Sequence, residues 1–277
     1  MISLWERSGG VDPTNWITIL REAAEGICSA IADVRPRGAG LETREYKHIL
    51  DEAAQSTLVD TLKSRGVSAQ LISEEGNVLI GGGGPTVIAD PVDGTTNLAR
   101  GLRHAVTCLS VSENGLHSGT LAALVSDIYT GDIYAAEPGK GATLNRCPIR
   151  VATPRQAKSA LVSIDISKTP KLDRVTPLLN TCRYIRMFGS SASELTLIAS
   201  GGFDAHVDVR GTVRATDVAA ALTILKEAGG VYAVNGAISG DFTLTKEMTM
   251  ELVAASSRPL LDELLALTKG PLSNSDH

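Results

Sequence analysis

Apolar residues recur at helical spacing over the first part of the chain and at strand spacing afterwards. Trp16, Leu20, Ala23, Ile27, Ile31 and Val34 share one face of a helix. Asp12 followed by Pro13 supplies a capping carboxylate and a first-turn proline to start it. Residues 35–40 (Arg-Pro-Arg-Gly-Ala-Gly) break the pattern into a loop. A second helix is predicted over 43–65, with Ile49, Leu50, Ala53, Leu58 and Leu62 inward and Gly66 as its stop. Short strands follow at 67–72 and 87–89. The glycine run 81–84 between them lacks a G-K-[ST] continuation and reads as a surface loop, not a phosphate loop. Residues 105–111 alternate, Asn114-Gly115 signals a hairpin into 120–126, and Tyr129-Thr130-Gly131-Asp132 turns the chain into 133–136. The polar stretch 154–159 predicts a junction between two halves, about 1–156 and 157–277. Beyond it, strands at 161–164, 184–187, 205–209, 231–234 and 252–255 alternate with helices near 170–181, 190–200, 217–228 and 259–268. Both halves therefore predict layered α/β structure. Only Ser273 to His277 reads as a low-complexity tail.

Composition narrows this picture. Apolar residues make up 43% of the chain but aromatics only 4%, so the core must be built from Ala, Val, Ile and Leu. A formal net charge of −5 argues against a nucleic-acid binder held by duplex phosphates. No apolar run approaches the roughly 20 residues that span a bilayer, and Met1 to Gly10 carries no secretory signal pattern. The cysteines Cys28, Cys108, Cys147 and Cys182 form no C-x-x-C pair, which reads as free thiols in a reducing cytoplasm. The five histidines are dispersed without zinc spacing. Any metal should be held by oxygen.

The chemistry concentrates in Asp90-Pro91-Val92-Asp93-Gly94-Thr95-Thr96-Asn97. An apolar strand delivers Asp90, and Pro91 should end central pairing there. Asp90 and Asp93 then converge from one short loop, beside the Gly94 and Thr95 amides. Carboxylates next to bare amides suit a hard cation and a phosphate together, and Mg²⁺ fits because it takes oxygen ligands and shares substrate phosphates. Glu74-Glu75 closes another strand sixteen residues before Asp90, and Asp217 opens an Ala-rich helix as its expected N-cap. A two-metal centre needs three or more such carboxylates. The D-x-D-G-T pattern of haloacid dehalogenase phosphatases fails on spacing, because Pro91 occupies the nucleophile's place. Gly189-Ser190-Ser191-Ala192-Ser193 lacks the second glycine of a nucleophile elbow.

Taken together, the chain resembles the inositol monophosphatase family of Mg²⁺-dependent, lithium-sensitive sugar phosphatases. Residues 90–97 resemble its D-P-[IL]-D-G-T-x-N motif, and Glu74-Glu75 its acidic pair. Gly131 to Tyr134, Gly139 to Ala142, Phe188 to Ala192, Ser200 to Ala205 and Asp217 to Ala220 follow in family order. The match covers about 45–256. The resemblance implies an αβαβα sandwich with the metal site between two halves. It implies that Glu74, Asp90 and the Val92 carbonyl hold a first Mg²⁺, and that Asp90, Asp93 and Asp217 hold a second. Asp51 stands where a third can bind, without the family's preceding threonine. Glu74, Thr95 and Asp93 would be catalytic, while Asp93, Gly94, Thr95, Ser191, Arg186 and Arg214 would meet the substrate. Thr216 replaces the family's tryptophan before Asp217. That departure, with Arg186 and Arg214, resembles the archaeal branch acting on inositol-1-phosphate and fructose-1,6-bisphosphate. A cytoplasmic homodimer is implied. The alternatives are a 3′-phosphoadenosine nucleotide phosphatase, whose usual lysine is Thr96 here, and a non-catalytic regulatory member.

Overall fold

Helix α1 (Trp16–Val34) turns Ile19, Leu20, Ala23, Ala24, Ile27, Ile31 and Val34 inward, so the periodic stripe becomes a buried face. The computed structural model describes residues 15–38, 41–167 and 172–269; the capping pair Asp12-Pro13 and the 273–277 tail lie outside them. Within that range Asn15 caps α1, its Oδ1 accepting from the Thr18 amide at 3.3 Å. Helix α2 (Thr43–Ser64) buries Tyr46, Leu50, Ala54, Leu58 and Leu62, one unbroken i, i+4 row. Ile49 and Ala53, expected inward, are only half-buried beside that row.

The first sheet comprises β1 (Ala69–Ser73), β2 (Val78–Ile80), β3 (Thr86–Asp93), β4 (Val106–Ser112), β5 (Thr120–Asp127), β6 (Ile133–Ala136), β7 (Ala142–Leu144) and β8 (Cys147–Pro148), with short helix α3 (Thr95–Ala99) after β3. Its spatial order is β2-β1-β3-β4-β5-β6-β7-β8, antiparallel except for the β1–β3 pair. After the connection through 149–160 come β9 (Leu161–Ile164), α4 (Leu172–Thr181), β10 (Tyr184–Arg186), α5 (Ser191–Ala199), β11 (Ala205–Arg214), α6 (Ala215–Glu227), β12 (Val231–Val234), β13 (Ala237–Ile238), β14 (Thr249–Ala255) and α7 (Arg258–Thr268). The second sheet runs β10-β9-β11-β14-β12-β13.

Strand alternation sorts the side chains into layers. Leu71, Val87, Ala89, Leu109 and Leu124 face α1 and α2. Their neighbours Ile72, Ile88, Cys108 and Val125 face the opposite way and pack with Leu195 of α5, Leu222 of α6, and Leu252 and Ala254 of the second sheet. On the far side of that sheet Val162, Val207 and Val253 meet Val175 of α4 and Leu261 of α7. The order is helix, sheet, helix, sheet, helix, the expected αβαβα sandwich. β3 and β4 are covered on both faces, which explains why they are buried along nearly their whole length, Thr107, Ser110 and Ser112 included. Asp90, in phase with Ile88, therefore points into the central helix layer.

Two local expectations are corrected. β3 does not stop at Pro91. Its parallel pairing with β1 ends at Ala89, so no donor is required of Pro91 on that side, while the β4 ladder resumes at Asp93 after a register shift. The Thr107 hydroxyl bonds the Pro91 carbonyl at 2.9 Å across that irregularity. Asn114-Gly115 joins β4 to β5 as expected, but not as a two-residue turn. The Asn114 carboxamide oxygen accepts from the Leu116 amide at 3.0 Å, and a single 3₁₀ turn over His117–Gly119 lengthens the loop. All four cysteines are free thiols. Among the described residues no helix is long and apolar enough to cross a membrane.

Candidate metal centre

Three elements bring carboxylates together. Glu74 follows β1 directly, its amide bonded to the Ala89 carbonyl at 3.1 Å. Asp90 lies in β3 and is 3% exposed; its Oδ1 accepts from the Val92 amide at 3.0 Å. Asp217 is the third residue of α6 rather than its cap. From there its Oδ2 reaches back to the Arg214 amide at 3.1 Å, and its Oδ1 accepts from the Thr216 hydroxyl at 2.9 Å. This satisfies a free donor of the helix end. Ligand-type oxygens of Glu74, Asp90 and Asp217 all lie within 4.8 Å of one another.

Asp93 completes the acidic group from a different angle. Its Oδ2 accepts from the Ser190 hydroxyl at 2.8 Å and the Ala192 amide at 3.0 Å, at the N-terminus of α5. Gly94 turns the chain with φ +92°, and a Cβ there would sit 2.7 Å from the His104 carbonyl oxygen. Only glycine fits. α3 then begins at Thr95, whose hydroxyl donates to the Val92 carbonyl at 2.9 Å. Asn97 ties this loop to the second half of the chain, donating to the carbonyls of His104 at 2.9 Å and Phe188 at 2.7 Å.

The electrostatics follow from crowding. Burial first, then Glu74, Asp93 and Asp217, pushes the Asp90 carboxyl well above the usual carboxylate range. Burial and Asp217 push Asp93 up to about 7, against the lowering effect of its Ser190 and Ala192 bonds. Asp51 on α2 rises to about 7 through burial and the charges of Glu75 and Glu74. Burial also raises Asp217, with Arg214 opposing. Arg214 is the positive group in contact: its Nη1 bonds Glu74 Oε1 at 2.5 Å, and its Nε lies 3.2 Å from Asp217 Oδ1. Four carboxylates around one guanidinium are short of positive charge. An all-oxygen set with that deficit fits a hard divalent cation such as Mg²⁺.

Of the remaining residues singled out from the sequence, Ser191 is the first residue of α5, beside the Asp93 cap. Arg186 is exposed on edge strand β10, and its Nη1 donates to the neighbouring Ile185 carbonyl at 2.8 Å. No hydrogen bond or ion pair joins it to the acidic group among the described residues. The sequence reading missed Ser190, which both caps α5 and holds Asp93. The Ser191-x-x-Glu194 spacing points to a cap one residue later. Glu194 instead turns inward, bonding the Phe188 amide at 2.7 Å. Lys47, which donates to the Thr96 hydroxyl at 3.1 Å, was also unmarked.

The sequence profile of the inositol monophosphatase family matches residues 12–269. The chain belongs to that family. Its relatives include the fructose-1,6-bisphosphatase/inositol-1-monophosphatase of Methanocaldococcus jannaschii, 31% identical over 79% of this chain and 83% of that protein. They also include the Nus factor SuhB of Escherichia coli, 28% identical over 82% of this chain and 83% of that one. A solved inositol monophosphatase-fructose 1,6-bisphosphatase superposes with a TM-score of 0.78 at 28% identity, covering 92% of this chain and all of that one. Inositol monophosphatase family enzymes are Mg-dependent phosphomonoesterases. The expected resemblance, archaeal dual-activity relatives included, is borne out.

Proposed function

We propose that the chain is a Mg²⁺-dependent phosphomonoesterase that hydrolyses sugar phosphates, such as inositol-1-phosphate and fructose-1,6-bisphosphate, by direct attack of water. The observation that carries this reading is the convergence of Glu74, Asp90 and Asp217 from three separate elements to within 4.8 Å. In this reading Glu74, Asp90 and the Val92 carbonyl would hold one ion, and Asp90, Asp93 and Asp217 would hold a second. Asp51 is available to a third. Mg²⁺ held there would supply a lowered pKa for bound water and charge neutralisation at the phosphoryl and leaving oxygens. Glu74 and Thr95 would orient the attacking water, and the Glu74 carboxylate would take its proton. The Thr95 hydroxyl donates to the Val92 carbonyl and also lies within hydrogen-bond reach of Asp51, and its oxygen can accept a hydrogen bond from that water. The Gly94 and Thr95 amides receive the phosphoryl oxygens. Ser191 and Arg186 contact the rest of the substrate. We further place the boundary between halves near 156/157 and expect a cytoplasmic homodimer.

The test is a panel of inositol-1-phosphate, fructose-1,6-bisphosphate and 3′-phosphoadenosine 5′-phosphate, with initial rates measured in Mg²⁺ and in EDTA. Mg²⁺-dependent release of phosphate from the sugar phosphates supports the reading. Turnover confined to the nucleotide would replace it with the nucleotide phosphatase. Thermal stabilisation by Mg²⁺ without turnover of any of them would favour a regulatory member, as the Nus-factor relative suggests.

A further inference from the structure

We propose that Arg214 is the centre's own counter-cation, and that a divalent ion must displace its guanidinium from Glu74 and Asp217 to bind. The proposal rests on the metal-dependent reading above and concerns what the ion competes with.

Arg214 caps α6 three residues before Asp217, and its backbone amide is bonded by that same carboxylate at 3.1 Å. The base of the side chain is thereby held beside the acids. Its Nη1 reaches Glu74, 140 positions away, at 2.5 Å, while Nε lies 3.2 Å from Asp217 Oδ1 and 3.4 Å from Oδ2. The guanidinium thus bridges two of the three carboxylates whose oxygens converge. Among the described residues, no other cation makes an ion pair with Glu74 or Asp217.

A guanidinium carries five donors, accepts nothing and stays charged, so it cannot become a ligand. Each N–H it aims at a carboxylate oxygen uses electron density that a cation would need. Its positive charge also repels an ion placed between the same acids. Loaded and unloaded centres therefore differ by an exchange of cations. The arginine side chain is 35% exposed, which leaves its long stem a route towards solvent.

The experiment titrates Mn²⁺ by electron paramagnetic resonance into the full chain, its Arg214→Gln variant and its Arg214→Lys variant. Thermal melts in EDTA run alongside. Arg214→Gln should bind Mn²⁺ at least about 10-fold more tightly, because a charge-assisted contact no longer has to break. It should also melt lower than wild type in EDTA, since the acids lose their counter-charge. Arg214→Lys, a point charge on a shorter reach, should fall between. A second arm needs no variant: in ¹⁵N spectra of wild type, the Arg214 Nε–H should be protected from exchange in EDTA and lose that protection at saturating Mg²⁺. Equal or weaker Mn²⁺ binding by Arg214→Gln, or an Nε–H unaffected by Mg²⁺, would overturn the proposal. Tighter Mn²⁺ binding without sugar-phosphate turnover in wild type would sink the phosphatase reading and leave the exchange standing. Turnover with unchanged affinity would do the reverse.

Discussion

Asp93, proposed as a ligand of the second ion, also has an architectural role: one of its oxygens caps the start of α5 through Ser190 and Ala192. Asp93→Asn keeps an oxygen to accept both bonds but removes a charge from the proposed second-ion shell. Turnover of inositol-1-phosphate should fall by at least about 10²-fold with the fold retained. Its carboxyl stands at about 7 in the folded chain against an ordinary value of 3.8. Stability tied to this group is therefore complete below about pH 4 and is lost as pH rises through 7. In EDTA, melting curves from pH 5 to 8 should show wild type losing stability that Asp93→Asn keeps; parallel curves would contradict the shift. The proposed substrate contact of Arg186 can be tested separately. Exposed and free of carboxylate partners among the described residues, its planar fork can meet a second phosphate. Arg186→Ala should cut kcat/KM for fructose-1,6-bisphosphate about 10- to 10²-fold and leave inositol-1-phosphate nearly unchanged. Equal losses on both substrates would assign it to a shared contact.

The loop from β3 into α3 works because its backbone takes a path that side chains would block. Gly94 has φ +92° and faces the His104 carbonyl at 2.7 Å from where a Cβ would be. Gly94→Ala should cost about 1–3 kcal/mol and displace Thr95 from Val92, lowering activity more than that stability loss alone explains. Gly82→Ala provides the comparison. Its Cβ would enter open space on a surface turn, and stability should stay within about 0.5 kcal/mol of wild type. Melting temperatures and rates for the two variants check both statements. α6 is the other element that matters here. Its start presents Asp217 to the acids of the first sheet, while Val218, Leu222 and Leu225 lock the helix into the central layer.

At the scale of the molecule, the central layer makes the two sheets one cooperative body. Side chains of both sheets enter the cluster around Leu195 and Leu222, so neither can lose that layer alone. Leu222→Ala should cost about 2–5 kcal/mol and lower a single thermal transition; two separate transitions would show that the sheets unfold independently. The same arrangement stores repulsion. Glu74 follows β1 and Asp90 lies in β3 of the first sheet, while Asp217 comes from the helix between the sheets, so packing of the core drives like charges together.

Much of this was legible along the chain. The helical stripe of α1, the short strands 161–164 and 231–234 and the turn at 129–132 follow local periodicity and turn chemistry, which depend on neighbours a few residues apart. The D-P-V-D-G-T loop and Glu74 could likewise be read as acids at strand ends. Packing decided the rest. Pro91 stays within β3 because only one of its flanking partners continues, a fact of sheet order that no local pattern contains. Asp217 lies inside α6 rather than at its cap because β11 runs on to Arg214. Ser190 meets Asp93 across 97 positions, and Arg214 meets Glu74 across 140. Periodicity reports which face of an element is buried. Which charge another element then places against that face depends on how the layers close, and only the tertiary structure supplies it.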